Sequence, residues 1–534
     1  PFAYTAPSGY KALCTTNLSD PTIADGSTAM DVLTWTGTGT GADRTISGLG
    51  FSNTPGLIWA KARSAGYHQT WWDIVRGYGT TNVLLSDLPV VEAWTASGRI
   101  KTATSSSITW EADNGSLWYD GGSTTYVAWN WDAGSSNTSI SAGGLNSSLY
   151  LQDAAYNSQV SGTSQSYNFG SGGERGDNNM FDGDIKHSTA ALGAGNNITW
   201  SGSIPFSSSF AIASDNDGGS TAINITHGPY NTVTNVRSQV PGTTNLQIAA
   251  GTIPITTLTG ITSPVTGIEL VASSTHANGI CMVKADGKTV IDSGITVDNV
   301  PTIASTVRAN PSAGFSIVSY TGNGTAGATI GHGLNAVPGL LIVKNRSTSV
   351  TSPAWGVKHS GLYSNPGNWL ELETPDAAVV ESAGSGSLFN ATNPDSSVFT
   401  VGQRNTTNTN GDYYIAYCWA PVEGYSAFGS YTGNGIADGP FVFTGFRPRW
   451  VMIKRTDSTG DWFVLDGERN LFNPTDSYLR PNLANSELDN TEFVDLLSNG
   501  FKIKATGNAY NGSGATIIYA AFASNPFALN ARAR

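Results

Sequence analysis

The chain has 534 residues, of which only 12% are charged, 27 basic against 39 acidic, for a net charge of −12. The few basic residues form no runs, which argues against a nucleic-acid partner, since neutralising phosphates needs clustered Lys and Arg. No segment approaches ~20 consecutive apolar residues, so no membrane insertion is expected. With 39% hydrophobic and 10% aromatic residues the chain has ample core material, and its length predicts several domains of roughly 100–150 residues. Neutral hydroxyl and amide side chains carry the polar load, and 63 glycines supply turns, a profile suited to exposed β faces. The three cysteines, Cys14, Cys281 and Cys418, are too few and too scattered for a disulfide framework or a metal site.

Residues 1–29 read as a linker without the basic and apolar regions of a secretion signal. An internal repeat then organises the chain. The first copy, 30–149, opens with Met30-Asp31-Val32-Leu33-Thr34-Trp35-Thr36-Gly37 and reaches Pro55-Gly56-Leu57-Ile58-Trp59-Ala60-Lys61-Ala62-Arg63-Ser64. It closes on the apolar strand Thr125-Tyr126-Val127-Ala128-Trp129-Asn130-Trp131. A different region, 150–310, starts with a Gly/Ser/Asn-rich stretch at 161–179 and contains Phe210-Ala211-Ile212-Ala213 and Ile268-Glu269-Leu270-Val271-Ala272. Its segment from Met282 to Asp292, with Asp286-Gly287 at the middle, predicts a hairpin. This region is expected to be a β-sandwich of another type.

The second copy, 311–424, runs from Phe315-Ser316-Ile317-Val318-Ser319-Tyr320 through Pro338-Gly339-Leu340-Leu341-Ile342-Val343-Lys344 to Tyr413-Tyr414-Ile415-Ala416-Tyr417-Cys418-Trp419. The third, 425–534, runs from Ser430-Tyr431-Thr432-Gly433 through Pro448-Arg449-Trp450-Val451-Met452-Ile453-Lys454 to Thr516-Ile517-Ile518-Tyr519-Ala520-Ala521-Phe522. The opening aromatic precedes the proline by 20, 18 and 17 residues, and the closing strand by 90, 93 and 85. Short runs rich in Ile, Val, Tyr and Trp, broken by Thr-Gly and Asn-Gly turn signals, predict strands, and ~100-residue segments of such strands predict two-sheet sandwiches. Leu340–Lys344 is nearly continuously apolar, as for a strand covered on both faces. Each copy is expected to enclose its own interior.

The repeat resembles a module found in tandem in large tail or appendage proteins of marine and environmental bacteriophages. The likeness rests on Tyr320-Thr321-Gly322-Asn323-Gly324 and its counterpart at 431–435, Gly331-His332-Gly333-Leu334, Asn345-Arg346-Ser347, Asp73-Ile74-Val75-Arg76-Gly77 and the closing strands. Ser305–Asn310 resembles the linker into such modules, and Val283–Gly294 a companion domain. Pro1-Phe2-Ala3-Tyr4-Thr5 and Pro7–Leu13 are similar to the end of a SPRY-type sandwich, which implies a further domain upstream. The resemblance implies an all-β chain of tandem antiparallel, lectin-like (concanavalin or laminin-G type, jelly-roll) sandwiches and a virion structural role. The third copy is read as lacking the Asn-Arg-Ser and Asp-x-x-Arg-Gly pieces.

Among candidate sites, Trp71, Trp72, Asp73 and Arg76 could form a sugar platform, an aromatic face with a polar rim. A structural ion pair over a core tryptophan is the favoured reading, because adjacent strand residues face opposite sides. His68 reads as a satisfied loop histidine. Asp182 and Asp184, and Asp215 and Asp217, could offer oxygen to calcium, but neither set continues to a distal bidentate Glu, and turn-forming Asx residues explain them. The sequons at Asn197, Asn224 and Asn345 are expected by chance in so Asn-rich a chain. No nucleophile elbow, His-Glu-x-x-His motif or phosphate loop occurs, so no catalytic residue, cofactor or metal is assigned. The expected role is a virion appendage on the particle surface that contacts host glycans, as a trimer or an array of copies beside other virion proteins. An architectural capsid or tail decoration, or a polysaccharide depolymerase, are the alternatives.

Overall fold

The computed structural model describes residues 22–79, 82–94, 99–111, 119–143, 150–153, 160–162, 167–169, 173–175, 181, 197–215, 220–241, 253–272, 279–292, 300–347 and 353–523. The chain is all-β, with antiparallel sheets throughout apart from one parallel strand pair and one parallel bridge. Its one α-helix among the described residues is the single turn Asn508–Asn511. Two compact units form: Pro1–Gly144 with Pro301–Arg534, and Leu145–Val300.

The first unit holds the three repeat modules, each a large sheet, the one with the closing strand, of six, eight and four strands in turn, over a second sheet of three, two and four. In every large sheet the closing strand lies between the opening strand and the strand that follows the proline. The orders begin Met30–Thr36, Thr125–Trp131, Leu57–Ala62, Thr70–Asp73 in the first module. They continue Phe315–Thr321, Tyr413–Trp419, Leu340–Asn345, Trp355–His359 in the second, and Ser426–Thr432, Thr516–Ala523, Pro448–Arg455, Trp462–Asp466 in the third. The registers coincide: Trp131, Trp419 and Phe522 each pair with the first residue of one neighbour (Met30, Phe315, Ser426) and with Leu57, Leu340 and Trp450 on the other side. One fold is therefore used three times.

Alternation along these strands sends side chains to two different interiors. In the second module Tyr414, Ala416 and Cys418 pack beneath the module's own small sheet with Phe399 and Val401, whereas Ile415, Tyr417 and Trp419 face the other way. In the first module Tyr126 and Ala128 join Trp110 and Trp72 inside the module, and Val127, Trp129 and Trp131 face out of it. The outward sets of all three modules meet in one core. At its centre the Trp131 ring lies 5.7 Å from Trp419, 5.6 Å from Trp450 and 5.8 Å from Phe522. Trp71 lies 5.3 Å from Trp355 and 5.1 Å from Tyr417. The expectation that each copy encloses only its own interior is thus corrected. The second face of each large sheet is covered by the neighbouring modules, which is why the closing strands are apolar at nearly every position.

Ser305–Asn310, read as a linker inside the central region, is instead a strand of the second module, paired with Phe315–Thr321 and with Asn137–Ile140. Val307 drops into that module's core and Ser305 Oγ donates to Gly331 O at 3.2 Å. The chain leaves the first unit at 144 and returns at 301, which places the first boundary about five and the second about ten residues before the expected ones.

The second unit is a sandwich of two five-stranded sheets. One runs Tyr150–Asp153, Lys288–Asp292, Gly279–Ala285, Phe210–Asp215, Ile255–Thr257. The other runs Val160–Gly162, Asn197–Ile204, Val265–Ala272, Ser220–His227, Thr232–Asn235. Trp200, Phe210, Ile225, Ile268 and Val283 fill the space between them. Met282–Asp292 forms a hairpin whose turn puts Asp286 and Gly287 at φ 51° and 77°, the left-handed pair that a type I′ turn requires. The Asp286 carboxylate also accepts from the backbone N–H groups of Ser207, Ser208 and Ser209, and these bonds pull its pKa down to about 2.

Candidate functional site

The residues proposed as a sugar platform have no open face. Trp71, Trp72 and Asp73 are at most 1% exposed, and the Arg76 side chain 2%. Trp71 belongs to the core shared by the modules and Trp72 to the interior of the first. The platform reading is therefore corrected: covering both faces of the Thr70–Asp73 strand removes the aromatic surface that a sugar would need. Trp71, Asp73 and Arg76 serve instead to join modules, while Trp72 fills the interior of the first.

Asp73 Oδ2 accepts from Arg76 Nε at 2.5 Å and from the Tyr417 hydroxyl of the second module at 2.8 Å. Arg76 continues to Glu92 at 2.8 Å and to the Trp71 carbonyl at 3.0 Å. Glu92 in turn accepts from Arg346 of the second module at 2.9 Å. Burial opposes the Arg76 charge, but Asp73, Tyr417 and Glu92 together outweigh it and raise the guanidinium pKa.

The third module carries the same device. Asp466 Oδ2 accepts from Arg469 Nε at 2.6 Å and from Trp129 Nε1 of the first module at 2.8 Å. Arg469 reaches Glu487 at 2.6 Å and the Val464 carbonyl at 3.0 Å, and Glu487 accepts from Arg63 of the first module at 2.7 Å. The third copy does lack Asp-x-x-Arg-Gly as written, since Asn470 follows Arg469, but it keeps the aspartate and the arginine and their role. Asp466 stands 18 residues after Pro448, as Asp73 does after Pro55, so proline spacing carried the signal that the missing glycine concealed.

In the second module the register places His359 where the others have Asp: Leu340 pairs with His359, Leu57 with Asp73 and Trp450 with Asp466. The partner position on the third module's closing strand is Ala520, without a donor side chain, where the other two strands have Trp129 and Tyr417. His359 Nε2 donates to the Tyr519 carbonyl at 3.0 Å, and Nδ1 accepts from Gly361 N at 3.0 Å. Crossing bonds at a second equivalent position agree: Gln69 Nε2 donates to Arg480 O, Trp355 Nε1 to Leu85 O and Trp462 Nε1 to Glu371 O. These three bonds run first to third, second to first and third to second, and Asp73, His359 and Asp466 link the same three pairs in the opposite sense, closing a cycle within one chain.

Both nitrogens of His359 are committed in the neutral ring, and burial holds its pKa down to about 4, as it does for His332. An unfolded histidine titrates near 6.5. As pH falls below 6.5 the unfolded chain takes up protons that the folded chain refuses, so stability drops until about pH 4, by about 3 kcal/mol for each such group. Buried carboxyls with raised pKa, Asp31 and Glu373, act in the opposite sense over part of this window. A difference measurement isolates the histidine. Replacing His359 with Gln is expected to cost stability at pH 7.5 and to reduce, relative to the parent chain, the loss between pH 7.5 and 4.5 in chemical denaturation. Parallel pH profiles would contradict this role.

His68, read as a satisfied loop histidine, has Nδ1 2.6 Å from Asp87 Oδ2. Cys281 and Cys418 are buried thiols. Asn345 is buried and donates to Asp412 and to the Asn405 carbonyl, so that sequon is closed to a glycan. Cys14, the SPRY-like start, Asp182, Asp184 and Asp217 lie outside the described residues, and Asp215 ends the strand Phe210–Asp215. Among the described residues no cluster of three His, Cys, Asp or Glu side chains is placed to hold a metal.

Sequence reasoning passed over a groove on the second unit. On the outer face of its second sheet two rows of side chains cross three strands: Thr199, Glu269 and Asn224, then Ser201, Gly267 and Thr226. The alternate positions Trp200, Ile268 and Ile225 fill the core behind them. Asn224 Nδ2 donates to Glu269 Oε2 at 2.8 Å, and Thr266 Oγ1 to Asn231 Oδ1 at 2.8 Å. A Cβ on Gly267 would lie 3.1 Å from Thr226 Oγ1, so the glycine keeps the floor low. The resulting open groove has a volume of about 470 Å³, within the roughly 300–1,000 Å³ of small-molecule sites. Beside Asn231, Tyr230 stands 90% exposed at the tip of the hairpin that joins Ser220–His227 to Thr232–Asn235.

A search of curated proteins found no match. Among solved structures, a truncated AlyQ with CBM32 and alginate lyase domains aligns over 68% of this chain and 95% of its own, at 9% identity and a TM-score of 0.15, too low to bear on fold or function. Residues 25–180 and 275–526 match a domain of unknown function, DUF7483. The unmatched stretch between them contains every groove residue. With well over half of its length matched, the chain belongs to the DUF7483 family.

Proposed function

We propose that the chain is a bacteriophage virion structural protein, a tail fibre or appendage, whose first unit is a rigid non-enzymatic scaffold and whose surface contacts host glycans. The observation that carries the reading is the aromatic core shared by three sandwiches. It fixes three modules as one body, which suits a part that must survive outside the cell. Weak charge supports the same role, because it limits non-specific adsorption. Many copies on one particle would turn weak individual contacts into firm attachment by avidity.

An antibody against the purified chain tests this on intact particles of a phage that encodes it. Labelling of tail appendages in electron micrographs, with adsorption to host cells blocked, is expected. Labelling of the capsid with unchanged adsorption would favour a decoration protein, and no labelling of intact particles would overturn the virion assignment.

A further inference from the structure

We infer that the outer groove of the second unit is a binding site for neutral oligosaccharides, with Tyr230 as its stacking residue and Glu269 and Asn231 as its hydrogen-bonding residues. The inference rests on the reading of the chain as a glycan-contacting surface protein and names the site that would do so.

Three observations carry it. The first is the kind of surface. Thr199, Ser201, Thr226 and Thr266 offer hydroxyls, Asn231 an amide and Glu269 a carboxylate, all along one shallow groove, with the Asn224 amide bonded to Glu269 beside it. Sugar hydroxyls both donate and accept, so a surface mixing amides, hydroxyls and a carboxylate can answer neighbouring hydroxyls in both senses. The carboxylate is the strongest acceptor of the set.

The second is Tyr230. A tyrosine left 90% exposed at a hairpin tip gains no packing from the fold. Its ring combines an apolar face with a polar edge, the combination that suits a surface which is apolar on one side and wet on the other. The CH-bearing face of a pyranose ring is such a surface. Asn231, the next residue, has φ 53° and lines the groove, so the turn sets the tyrosine at the groove's end.

The third is charge. Among the described residues that line the groove none is Lys, Arg or His, and Glu269 is their one ionisable group. A phosphate, sulfate or uronate would meet the Glu269 carboxylate and no cation from the described lining, which disfavours acidic polysaccharides. Neutral and N-acetylated sugars escape that penalty.

Binding of the full-length chain to an array of neutral, N-acetylated and acidic glycans tests the inference, with two variants beside it. Tyr230→Ala removes the stacking ring at an exposed position. Ser201→Trp, also at an exposed strand position, covers the groove floor. Unchanged thermal unfolding of both variants establishes that their folds are intact. Retention of at least one neutral glycan by the parent chain, weakened 10-fold or more in each variant, is the expected result. Glycan binding unchanged in both variants would overturn the groove while leaving host-glycan contact standing. A preference for uronate or sulfated glycans would overturn the charge argument and with it the proposal. Retention of no glycan at all would overturn both this site and the glycan-contacting part of the proposed function.

Discussion

Replacing Trp131 with alanine is expected to destabilise the first unit by about 3–5 kcal/mol, the usual cost of deleting a fully buried large aromatic side chain. Trp131 is 1% exposed, and its ring touches residues from the second module (Phe315, Trp419) and from the third (Trp450, Phe522). The cavity would open at the junction of all three large sheets, so loosening should extend to modules in which no residue was changed. Trp110→Ala provides the contrast. That ring is equally buried but stacks on Tyr119 at 4.0 Å inside the first module, so its loss should act mainly there. Circular dichroism during chemical denaturation measures the size of each effect, and hydrogen exchange locates it.

Arg76→Met should be comparably damaging, at about 3–5 kcal/mol, because removing one partner of a buried ion pair leaves the other charge uncompensated. Asp73 would keep only neutral donors, the Arg76 backbone N–H and the Tyr417 hydroxyl. Glu92 would keep Arg346, so the harm centres on Asp73. Changing Asp73 to Asn in the same chain should restore much of the loss, since an amide needs no countercharge. Arg469→Met is expected to behave alike, for Asp466 would then hold only Trp129 Nε1 and backbone donors. Denaturation midpoints of the single and double variants check these values. An Arg76→Met variant within about 1 kcal/mol of the parent would show that the network does not join the modules.

Much of the first unit was legible because strands are local patterns. The proline-led runs, the closing strands and their spacing marked the repeat, and in the second unit Asp286-Gly287 marked a hairpin. The continuous apolar run at Leu340–Lys344 announced that both faces of the strand are covered, but a run cannot say by what. Trp131 and Trp129 look like any core tryptophans until three sheets are brought together. Asp466 and Arg469 were hidden because Arg469 is followed by Asn470, where Arg76 is followed by Gly77. His359 was hidden because it stands 21 residues after Pro338 rather than 18, and because it answers a carbonyl where its counterparts answer side chains.

The groove was illegible for a different reason. Threonine, serine and asparagine alternating with apolar residues is what every wet strand face shows. Only the register that sets Thr199 beside Glu269 and Asn224, and Ser201 beside Gly267 and Thr226, turns scattered polar residues into a surface with one sign of charge. Likewise Gly228-Pro229-Tyr230-Asn231 reads simply as a turn until its tyrosine is found exposed.

Native-state hydrogen exchange on Trp131→Ala, followed by mass spectrometry, puts the common core to its sharpest trial. Peptides covering Leu340–Asn345 and Pro448–Arg455, strands of modules that the substitution leaves untouched, should lose protection together with Leu57–Ala62. Loss confined to the first module, with the other two strands exchanging as in the parent chain, would mean that the three sandwiches stand independently.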